Sequence, residues 1–577
     1  MNDLTEKNVT MDTEENATTD TEEKVTTDTF NIAAHLRRMA QQYPYKRAVI
    51  FPFGRNRFNR VTYTHLTFQQ LDRESDKLAF GLEAAGIGRG IRTVLMVNPC
   101  LEFFVLVYAL FKAGAIPVVV DPGMGIRRMI RCLGETKPRA FIGIPLAHVI
   151  RILFPKYFGT VYTAVTVGRR WFWRGETYES LCQKPWMPYE LADTQKSDTA
   201  AILFTTGSTG PAKGVIYTHG TFDAQIQTIR NCFDIGENEI DLPTFPLFAL
   251  FDPALGMTAV IPDMNPTRPA FVNPERIIEA IENQGVTNLF ASPALLNRVG
   301  RYGEENCLRL PTLKRVVSAG APVSTDNIAR FAGLLDDEAE IFTPYGATEA
   351  MPVTCIGSHE ILSETGALSE KGFGICVGRP VEGVELKIIR ISDDPIETLT
   401  DDLLLPDDEI GEIIVQGEVV TREYYKNPAA DAFGKIQQGE TFWHRMGDLA
   451  WRDKTGRIWF CGRKNHRVET ELGPLYTIPC EAIFNRHPSV ARSALVGVGP
   501  ERQQTPVMCI ELHPDARQKS QREIMHELLL MGQQHILVED IQTILFHRKF
   551  PVDIRHNSKI FREKLAVWAS GKINSKT

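Results

Sequence analysis

A stretch rich in glycine and hydroxyl groups, residues 201–214 (AILFTTGSTGPAKG), has the composition of an anion-binding loop. An apolar strand over 201–204 is predicted to lead into a loop whose glycines let backbone amides approach an anion closely. The residues that we predict to bind phosphate are Thr205, Thr206, Gly207, Ser208, Thr209, Gly210 and Lys213. Gly214 follows the lysine, where a Walker loop has a serine or threonine for magnesium. The stretch therefore predicts a phosphate-binding loop that differs from a Walker loop.

A second motif, Tyr345-Gly346-Ala347-Thr348-Glu349, follows about 140 residues later. Between the two motifs, an apolar strand runs into a turn of small residues at 318–322. Together these stretches closely resemble the adenylate-forming superfamily, which includes acyl-CoA synthetases, adenylation domains and luciferases. The resemblance covers roughly residues 30–577 and implies ATP and Mg²⁺ as cofactors.

The resemblance also implies a role for each group in the second motif. The aromatic ring of Tyr345 can stack on the adenine base, and Gly346 permits a close backbone approach. Thr348 can bond a phosphate, while the carboxylate of Glu349 suits Mg²⁺ because this hard cation prefers oxygen ligands. The residues expected to line the adenine are Ala319, Gly320, Ala321, Pro322 and Ala347.

Two further positions match the superfamily's ribose contacts. Asp448, in a Met-Gly-Asp sequence, is expected to accept hydrogen bonds from both ribose hydroxyls, which suits a carboxylate because it offers two oxygens. Arg463, after Gly462, is expected beside it. The spacing of the pair predicts a ribose site.

Members of the superfamily also have a catalytic lysine near the carboxyl terminus, and two residues compete for this position. Lys572 follows Ser570-Gly571 but lacks the expected preceding proline, whereas Lys559 follows Pro551 and is continued by Ile560 and Arg562. We select Lys559, with Thr348 and Glu349, as the predicted catalytic set. The positive charge of Lys559 would stabilise the negative charge that develops as pyrophosphate leaves.

An aromatic-rich stretch at 243–256 (PTFPLFALFDPALG) matches the segment that lies beside the acyl pocket in the superfamily. Phe248, Phe251 and Asp252 are our candidates for the substrate pocket. Apolar residues at such spacing are also typical of a core, so both interpretations of the phenylalanines stay open. Many relatives have a histidine where this chain has Ala249.

Hydrophobic patterns outside the motifs predict alternating helices and strands. Thr67 and Gln70 form a capping signal for a helix that ends at Gly86. The order strand, helix, strand over 93–98, 100–113 and 116–121 is typical of a parallel βαβ unit. The predicted fold class is α/β, and the resemblance implies a large layered N-terminal domain with mixed sheets and helices plus a small mobile α+β lid domain.

Three segments are expected. Residues 1–29 form an acidic tail with too few large apolar side chains to offset the entropy of ordering, so we predict disorder. Residues 30–464 form the AMP-binding (adenylation) domain and residues 465–577 the lid. The resemblance puts the hinge at Asn465. After it, a glutamate, Glu469, stands at a position where relatives have lysine, which indicates a change in the second half-reaction.

Composition excludes several other classes of protein. The net charge of −7 equals that of residues 1–29, which hold nine acids and two lysines, so the rest is formally neutral and argues against a nucleic-acid partner. The longest apolar run, 103–111, is too short for a transmembrane segment. Ten scattered cysteines without a secretory leader indicate reduced thiols, and we expect a cytoplasmic location.

Within the superfamily, the spans around 246–256, 461–470 and 550–565 are most similar to the β-lactone synthetases of olefin biosynthesis. This similarity implies that the enzyme activates a long-chain 2-alkyl-3-hydroxy acid as an acyl-adenylate and closes a β-lactone. It also implies other hydrocarbon-biosynthesis enzymes as partners. Two alternatives stay open. One is a long-chain fatty-acyl-CoA ligase, and the other is an acyl-AMP ligase that loads a carrier protein.

Overall fold

The computed structural model describes residues 29–183, 185–204, 212–518, 520–552 and 559–574. Most of the acidic segment therefore lies outside the described residues, and the disorder of 1–29 stays a prediction. The same holds for six of the predicted phosphate-loop residues, which are Thr205, Thr206, Gly207, Ser208, Thr209 and Gly210.

Helices and strands alternate along most of the described chain. The helices are α1 Ala34–Gln42, α2 Phe68–Ala84, α3 Leu101–Lys112, α4 Ile126–Glu135, α5 Pro145–Leu153, α6 Pro155–Phe158, α7 Tyr178–Leu181, α8 His219–Cys232, α9 Phe251–Leu255, α10 Pro274–Gln284, α11 Pro293–Glu305, α12 Thr325–Ala332, α13 Ser358–Glu360, α14 Gly366–Leu368, α15 Pro428–Gly434, α16 Thr477–Asn485, α17 Gln521–Gln533 and α18 Arg562–Asn574.

The strands are β1 Arg47–Arg55, β2 Val61–Thr67, β3 Arg92–Met96, β4 Ile116–Val120, β5 Ala140–Gly143, β6 Thr163–Thr166, β7 Glu176–Thr177, β8 Thr199–Phe204, β9 Gly214–Thr218, β10 Ile240–Pro243, β11 Thr258–Val260, β12 Asn288–Ala291, β13 Arg315–Ser318, β14 Glu340–Phe342, β15 Tyr345–Ala347, β16 Ala350–Cys355, β17 Ile375–Pro380, β18 Val384–Ile389, β19 Gly411–Gly417, β20 Lys435–Gln438, β21 Thr441–Arg452, β22 Ile458–Arg463, β23 Val468–Thr470, β24 Gly473–Leu475, β25 Val490–Val498, β26 Thr505–Leu512 and β27 Thr543–Phe546.

Two seven-stranded sheets form the first part of the chain. Their strand orders are β7-β6-β5-β3-β4-β8-β9 and β14-β13-β12-β10-β11-β1-β2. Most neighbouring strands are parallel, and β3 pairs with β4 through a register that matches Val94 with Val118. The predicted βαβ unit is therefore confirmed. Its helix, α3, is buried along nearly its whole length and contacts β4 of one sheet and β1 of the other, because it is apolar on all sides.

A third, mainly antiparallel sheet carries the ribose motif. Its order is β15-β16-β17-β22-β21-β19-β18, with β20 paired to β21. In this sheet Asp448 of β21 and Arg463 of β22 are direct register partners. Two residues fifteen positions apart in sequence are thereby brought side by side. The prediction of an α/β fold with mixed sheets is confirmed.

The chain after Arg463 packs around a core of its own. The strands β25, β26 and β27 form a separate three-stranded sheet, and one hydrophobic cluster consists of buried residues from Val468 to Ile544 alone. This arrangement supports the expected lid, although the boundary at 464/465 stays a prediction. Among the described residues, no helix is long and apolar enough to cross a membrane.

The start of α2 gives a first testable prediction. Thr67 Oγ1 accepts a hydrogen bond from the Gln70 amide at 3.2 Å, and the Thr67 amide donates to Gln70 Oε1 at 2.8 Å, which confirms the predicted capping box. Thr67→Ala leaves a helix amide without its acceptor, so we expect a loss of about 1 kcal/mol in the free energy of unfolding, measured by denaturant titration.

The control for this prediction is Gln69→Ala, which changes a side chain of the same helical turn outside the capping box. We expect a change within about 0.5 kcal/mol, as for a substitution away from special contacts. Equal losses in the two variants would contradict a specific capping role for Thr67.

Candidate active site

A cleft of about 1700 Å³ lies where β10 and β13 end and where β15, β21 and β22 carry the ribose and adenine motifs. It brings together predicted residues that are far apart in the sequence. Those that line it are Lys213, Phe248, Phe251, Asp252, Ala319, Gly320, Ala321, Pro322, Tyr345, Gly346, Ala347, Thr348, Glu349, Asp448, Arg463, Asn465 and Lys559. The residues predicted to contact the nucleotide and those predicted to contact the acyl group therefore line one cavity.

At one end of the cleft, Asp448 is held between Tyr345 and Arg463. Tyr345 Oη donates a hydrogen bond to Asp448 Oδ2 at 2.6 Å, and Arg463 Nε lies 3.1 Å from Asp448 Oδ1. This second contact is an ion pair, and Oδ1 is buried without a hydrogen-bond donor among the described residues. Burial raises the pKa of Asp448, and the charge of Arg463 opposes this effect. A buried carboxylate oxygen without a donor fits a ribose hydroxyl.

The adenine side of the cleft depends on close backbone packing. At Gly346, a Cβ atom would lie 2.7 Å from the carbonyl oxygen of Ala350, so a larger residue would force the two strands apart. Gly320, in the turn after β13, has a φ of +94°, a conformation that glycine adopts without strain. Both motif positions therefore favour glycine for a steric reason.

Two tyrosines outside the motifs hold the phosphate end in place. Tyr424 Oη donates to Glu349 Oε1 at 2.8 Å, and Tyr217 Oη donates to the backbone oxygen of Thr348 at 2.5 Å. The ammonium group of Lys213 lies 4.7 Å from the centre of the Tyr424 ring. Sequence reasoning missed both tyrosines because neither belongs to a motif with a chemical signature.

A buried lysine, Lys435 of β20, lies close enough to Glu349 and Lys213 to interact with their charges. Burial lowers its pKa to about 7, while the nearby carboxylates of Glu349 and Asp431 act in the opposite direction. Its side-chain nitrogen donates to the backbone oxygen of Thr421. Lys435 is therefore a titratable neighbour of Glu349, and no sequence signal marked it.

Glu349 suits a Mg²⁺ ion that is bound together with a nucleotide. No group of three or more metal-ligating side chains occurs in the described part of the chain. One carboxylate is sufficient when nucleotide phosphates and water supply the remaining oxygen ligands, which is the usual way in which Mg²⁺ is bound with ATP. Glu349 therefore fits the assigned role, with its Oε1 oriented by Tyr424.

The two candidate lysines lie in different places. Lys559 lines the cleft, and its charge lowers the pKa of Asp448, against the larger effect of burial. Lys572 is in α18 and is not among the residues that line the cleft. This geometry favours Lys559 for the catalytic position.

The expected hinge lies in a short 3-10 turn, Lys464–His466, between β22 and β23. Lys464 donates to the backbone oxygen of Ser392 at 2.7 Å and lies 3.2 Å from Glu412. Glu469, in the β23–β24 hairpin, accepts two hydrogen bonds from Arg467. Glu469 is thus engaged in an ion pair with a neighbouring residue of its own segment.

The acyl side of the cleft is apolar. Phe248 lines it and stacks on Phe290 at 4.2 Å, and Phe251 both lines the cleft and packs against Phe222 of the core. Both phenylalanines therefore line the cleft, and their place beside an acyl group stays a prediction. Ala249 is fully buried in the 3-10 turn Phe248–Leu250. Asp252 also lines the cleft and is 4% exposed, which is unusual for a carboxylate.

Layered α/β sheets around a cleft lined by these motif residues are the arrangement of an adenylate-forming enzyme. Residues 36–425 match the family model described as AMP-binding enzyme. Because the match covers more than half of the chain, the protein belongs to this family.

Two curated relatives are similar over almost their whole length. The olefin β-lactone synthetase of Xanthomonas campestris pv. campestris is 47% identical over 547 residues, which cover 94% of this chain and 97% of that protein. The olefin β-lactone synthetase of Stenotrophomonas maltophilia is 48% identical over 556 residues, which cover 95% and 99%. Among solved structures, the amide bond synthetase McbA from Marinactinospora thermotolerans has a similar fold, with a TM-score of 0.75 at 20% identity over 93% of this chain and 99% of that chain.

Proposed function

We propose that this protein is a β-lactone synthetase. It activates a long-chain 2-alkyl-3-hydroxy acid with ATP, releases pyrophosphate, closes the β-lactone and releases AMP. The observation that carries the proposal is the continuity of one cleft from Asp448 and Tyr345 to the apolar wall of Phe248 and Phe251. The relatives at 47% and 48% identity support the lactone as product.

In the first step, the substrate carboxylate attacks the α-phosphorus of ATP, and the bond to the pyrophosphate oxygen breaks. Asp448 holds the ribose and Tyr345 the base, so the α-phosphate is directed toward Thr348 and Lys559. The ammonium groups of Lys213 and Lys559 stabilise the negative charge that develops on the phosphates. Mg²⁺, held by Glu349, supplies additional positive charge to the phosphate oxygens when it is bound.

In the second step, the 3-hydroxyl of the same substrate attacks the activated carbonyl carbon. The nucleophile is already tethered to the electrophile, so no second substrate needs to enter. This explains why the acyl side has Ala249 in place of a histidine and why Glu469 is paired with Arg467. Neither position needs to serve a coenzyme A tunnel.

The remaining assignments follow from the substrate chemistry. The apolar wall suits long alkyl chains, and other enzymes of hydrocarbon biosynthesis would supply the hydroxy acid and consume the lactone. All ten cysteines are free thiols, and this agrees with a reducing compartment such as the cytoplasm.

Two alternative products are tested by the same experiment. A long-chain fatty-acyl-CoA ligase would transfer the acyl group to coenzyme A, and an acyl-AMP ligase would load a carrier protein. Purified protein is incubated with Mg-ATP and a long-chain 2-alkyl-3-hydroxy acid, with and without coenzyme A, and the organic products are identified by NMR.

We expect a β-lactone and AMP in equal amounts, with no dependence on coenzyme A. A thioester that forms only with coenzyme A would contradict the proposal and favour the ligase. An acyl-adenylate that accumulates without lactone or thioester would favour the carrier-loading alternative.

A further inference from the structure

Two buried carboxyl groups lie in the apolar part of the cleft. Asp241 of β10 is 7% exposed and Asp252 of α9 is 4% exposed, and both line the cavity. The side chains around them on this wall are mainly apolar and include Phe248, Leu255 and Met257. Burying a carboxyl group is costly unless it is neutralised or hydrogen-bonded. A pair of them in a substrate pocket therefore indicates a function.

The two carboxyl groups hydrogen-bond to each other, which requires one proton between them. Asp252 Oδ2 is buried and accepts no hydrogen bond from an N–H or O–H donor in the described part of the chain. A buried carboxyl group with such an oxygen, on a residue that lines the cavity, can accept a hydrogen bond from a hydroxyl group of the ligand.

Three charged or titratable groups surround the pair. Burial and the neighbouring charge of Asp241 raise the pKa of Asp252. Burial also raises the pKa of Asp241 to about 8, with Arg315 of β13 acting against this rise and Glu239 adding to it. Tyr108 of α3, whose hydroxyl donates to the backbone oxygen of Leu250, faces Asp252.

Building on the proposed function, we propose that Asp252, partnered by Asp241, is the base that takes the proton of the substrate's 3-hydroxyl as the lactone closes. The pair resembles two carboxyl groups that share a proton because both cannot be charged at close range. Such a pair is a stronger base than an ordinary carboxylate because its proton affinity is higher.

The hydroxyl oxygen forms a bond to the carbonyl carbon, and the bond from this carbon to the phosphate oxygen breaks. AMP leaves with the electron pair of that bond. The hydroxyl proton passes to a carboxyl oxygen of Asp252 while the shared proton moves to Asp241, so the pair ends with two protons and no charge.

The test separates the two half-reactions in single turnovers of the full-length enzyme. Asp252→Asn keeps the side-chain shape and removes the base. We expect lactone formation to fall by about 10²–10⁴-fold, with acyl-adenylate accumulating and pyrophosphate release within about 3-fold of wild type. A 2-alkyl acid without the hydroxyl should be adenylated equally by both proteins.

Asp223→Asn is the matched control. It removes a partly buried carboxyl group of α8 that bonds His35 and lies outside the cleft lining. We expect lactone formation within about 3-fold of wild type. If wild type forms lactone and Asp252→Asn forms it equally fast, or loses both half-reactions together, the inference is wrong while the proposed function stands. If wild type forms only a thioester, both the inference and the proposed function are wrong.

The pH profile tests the role of Asp241 as a positioning residue. The doubly protonated pair cannot accept the hydroxyl proton, so lactone closure in wild type should decline below about pH 8, where Asp241 becomes protonated, and level off above it. Asp241→Asn removes the charge that raises the pKa of Asp252, so the decline should move to lower pH. An unchanged profile in Asp241→Asn would contradict the pairing.

Discussion

Replacing Lys559 by alanine is expected to slow carboxylate-dependent pyrophosphate release by about 10²–10³-fold, the usual effect of removing one electrostatic group from a charged transition state. Lys559 lines the cleft on the side of Asp448 and lowers its pKa, so its ammonium group acts near the nucleotide. The measurement is the initial rate of pyrophosphate release with saturating ATP and acid. The KM for ATP should change much less than kcat, because the interaction strengthens as charge develops.

The matched control is Lys572→Ala, which removes the competing lysine from α18. We expect its pyrophosphate release to stay within about 2-fold of wild type. The opposite result, a fast Lys559→Ala and a slow Lys572→Ala, would show that the proline-containing alignment had selected the wrong lysine.

Asp448→Ala is expected to lower kcat/KM for ATP by at least about 100-fold. The substitution removes an acceptor of two ribose hydrogen bonds, and a hydrogen bond to a charged group contributes about 1.5–3 kcal/mol. Together the two bonds give at least about 3 kcal/mol, where 1.4 kcal/mol corresponds to a factor of ten. The measurement is the dependence of pyrophosphate release on the concentration of ATP.

Two further variants test whether the loss in Asp448→Ala comes from the ribose contacts. Tyr345→Phe keeps the ring and removes only the hydrogen bond to Asp448, so we expect a loss of about 10-fold or less. Asp407→Ala removes an exposed partner of Arg452 at the end of the same strand, β21, and should leave ATP use unchanged. A folded Asp448→Ala enzyme with normal kcat/KM for ATP would exclude the ribose role.

Local sequence was sufficient to predict features that depend on a single segment of the chain. The capping box of Thr67 and Gln70 and the parallel unit formed by β3, α3 and β4 were confirmed, because both depend on contacts between residues close in the chain. The family was also predictable, because its motifs combine rare residue types in a set order.

Groups contributed by distant segments were not predictable in this way. Tyr424 reaches Glu349 across 75 residues, and Lys435 faces it from another strand, yet neither has a distinctive sequence context. Asp241 occurs in a short strand of the sequence Ile-Asp-Leu-Pro, where one acid among apolar residues was a weak signal that became meaningful only beside Asp252.

The sequence by itself determined which chemical groups are present and the class of reaction that they serve, because the type of a side chain limits what it can bind. Only the tertiary structure decided which of these groups meet. The register of β21 against β22 pairs Asp448 with Arg463, and the packing of α9 beside β10 joins Asp252 to Asp241. Register and packing depend on burial and hydrogen bonding summed over whole sheets, and no short stretch of sequence contains that information.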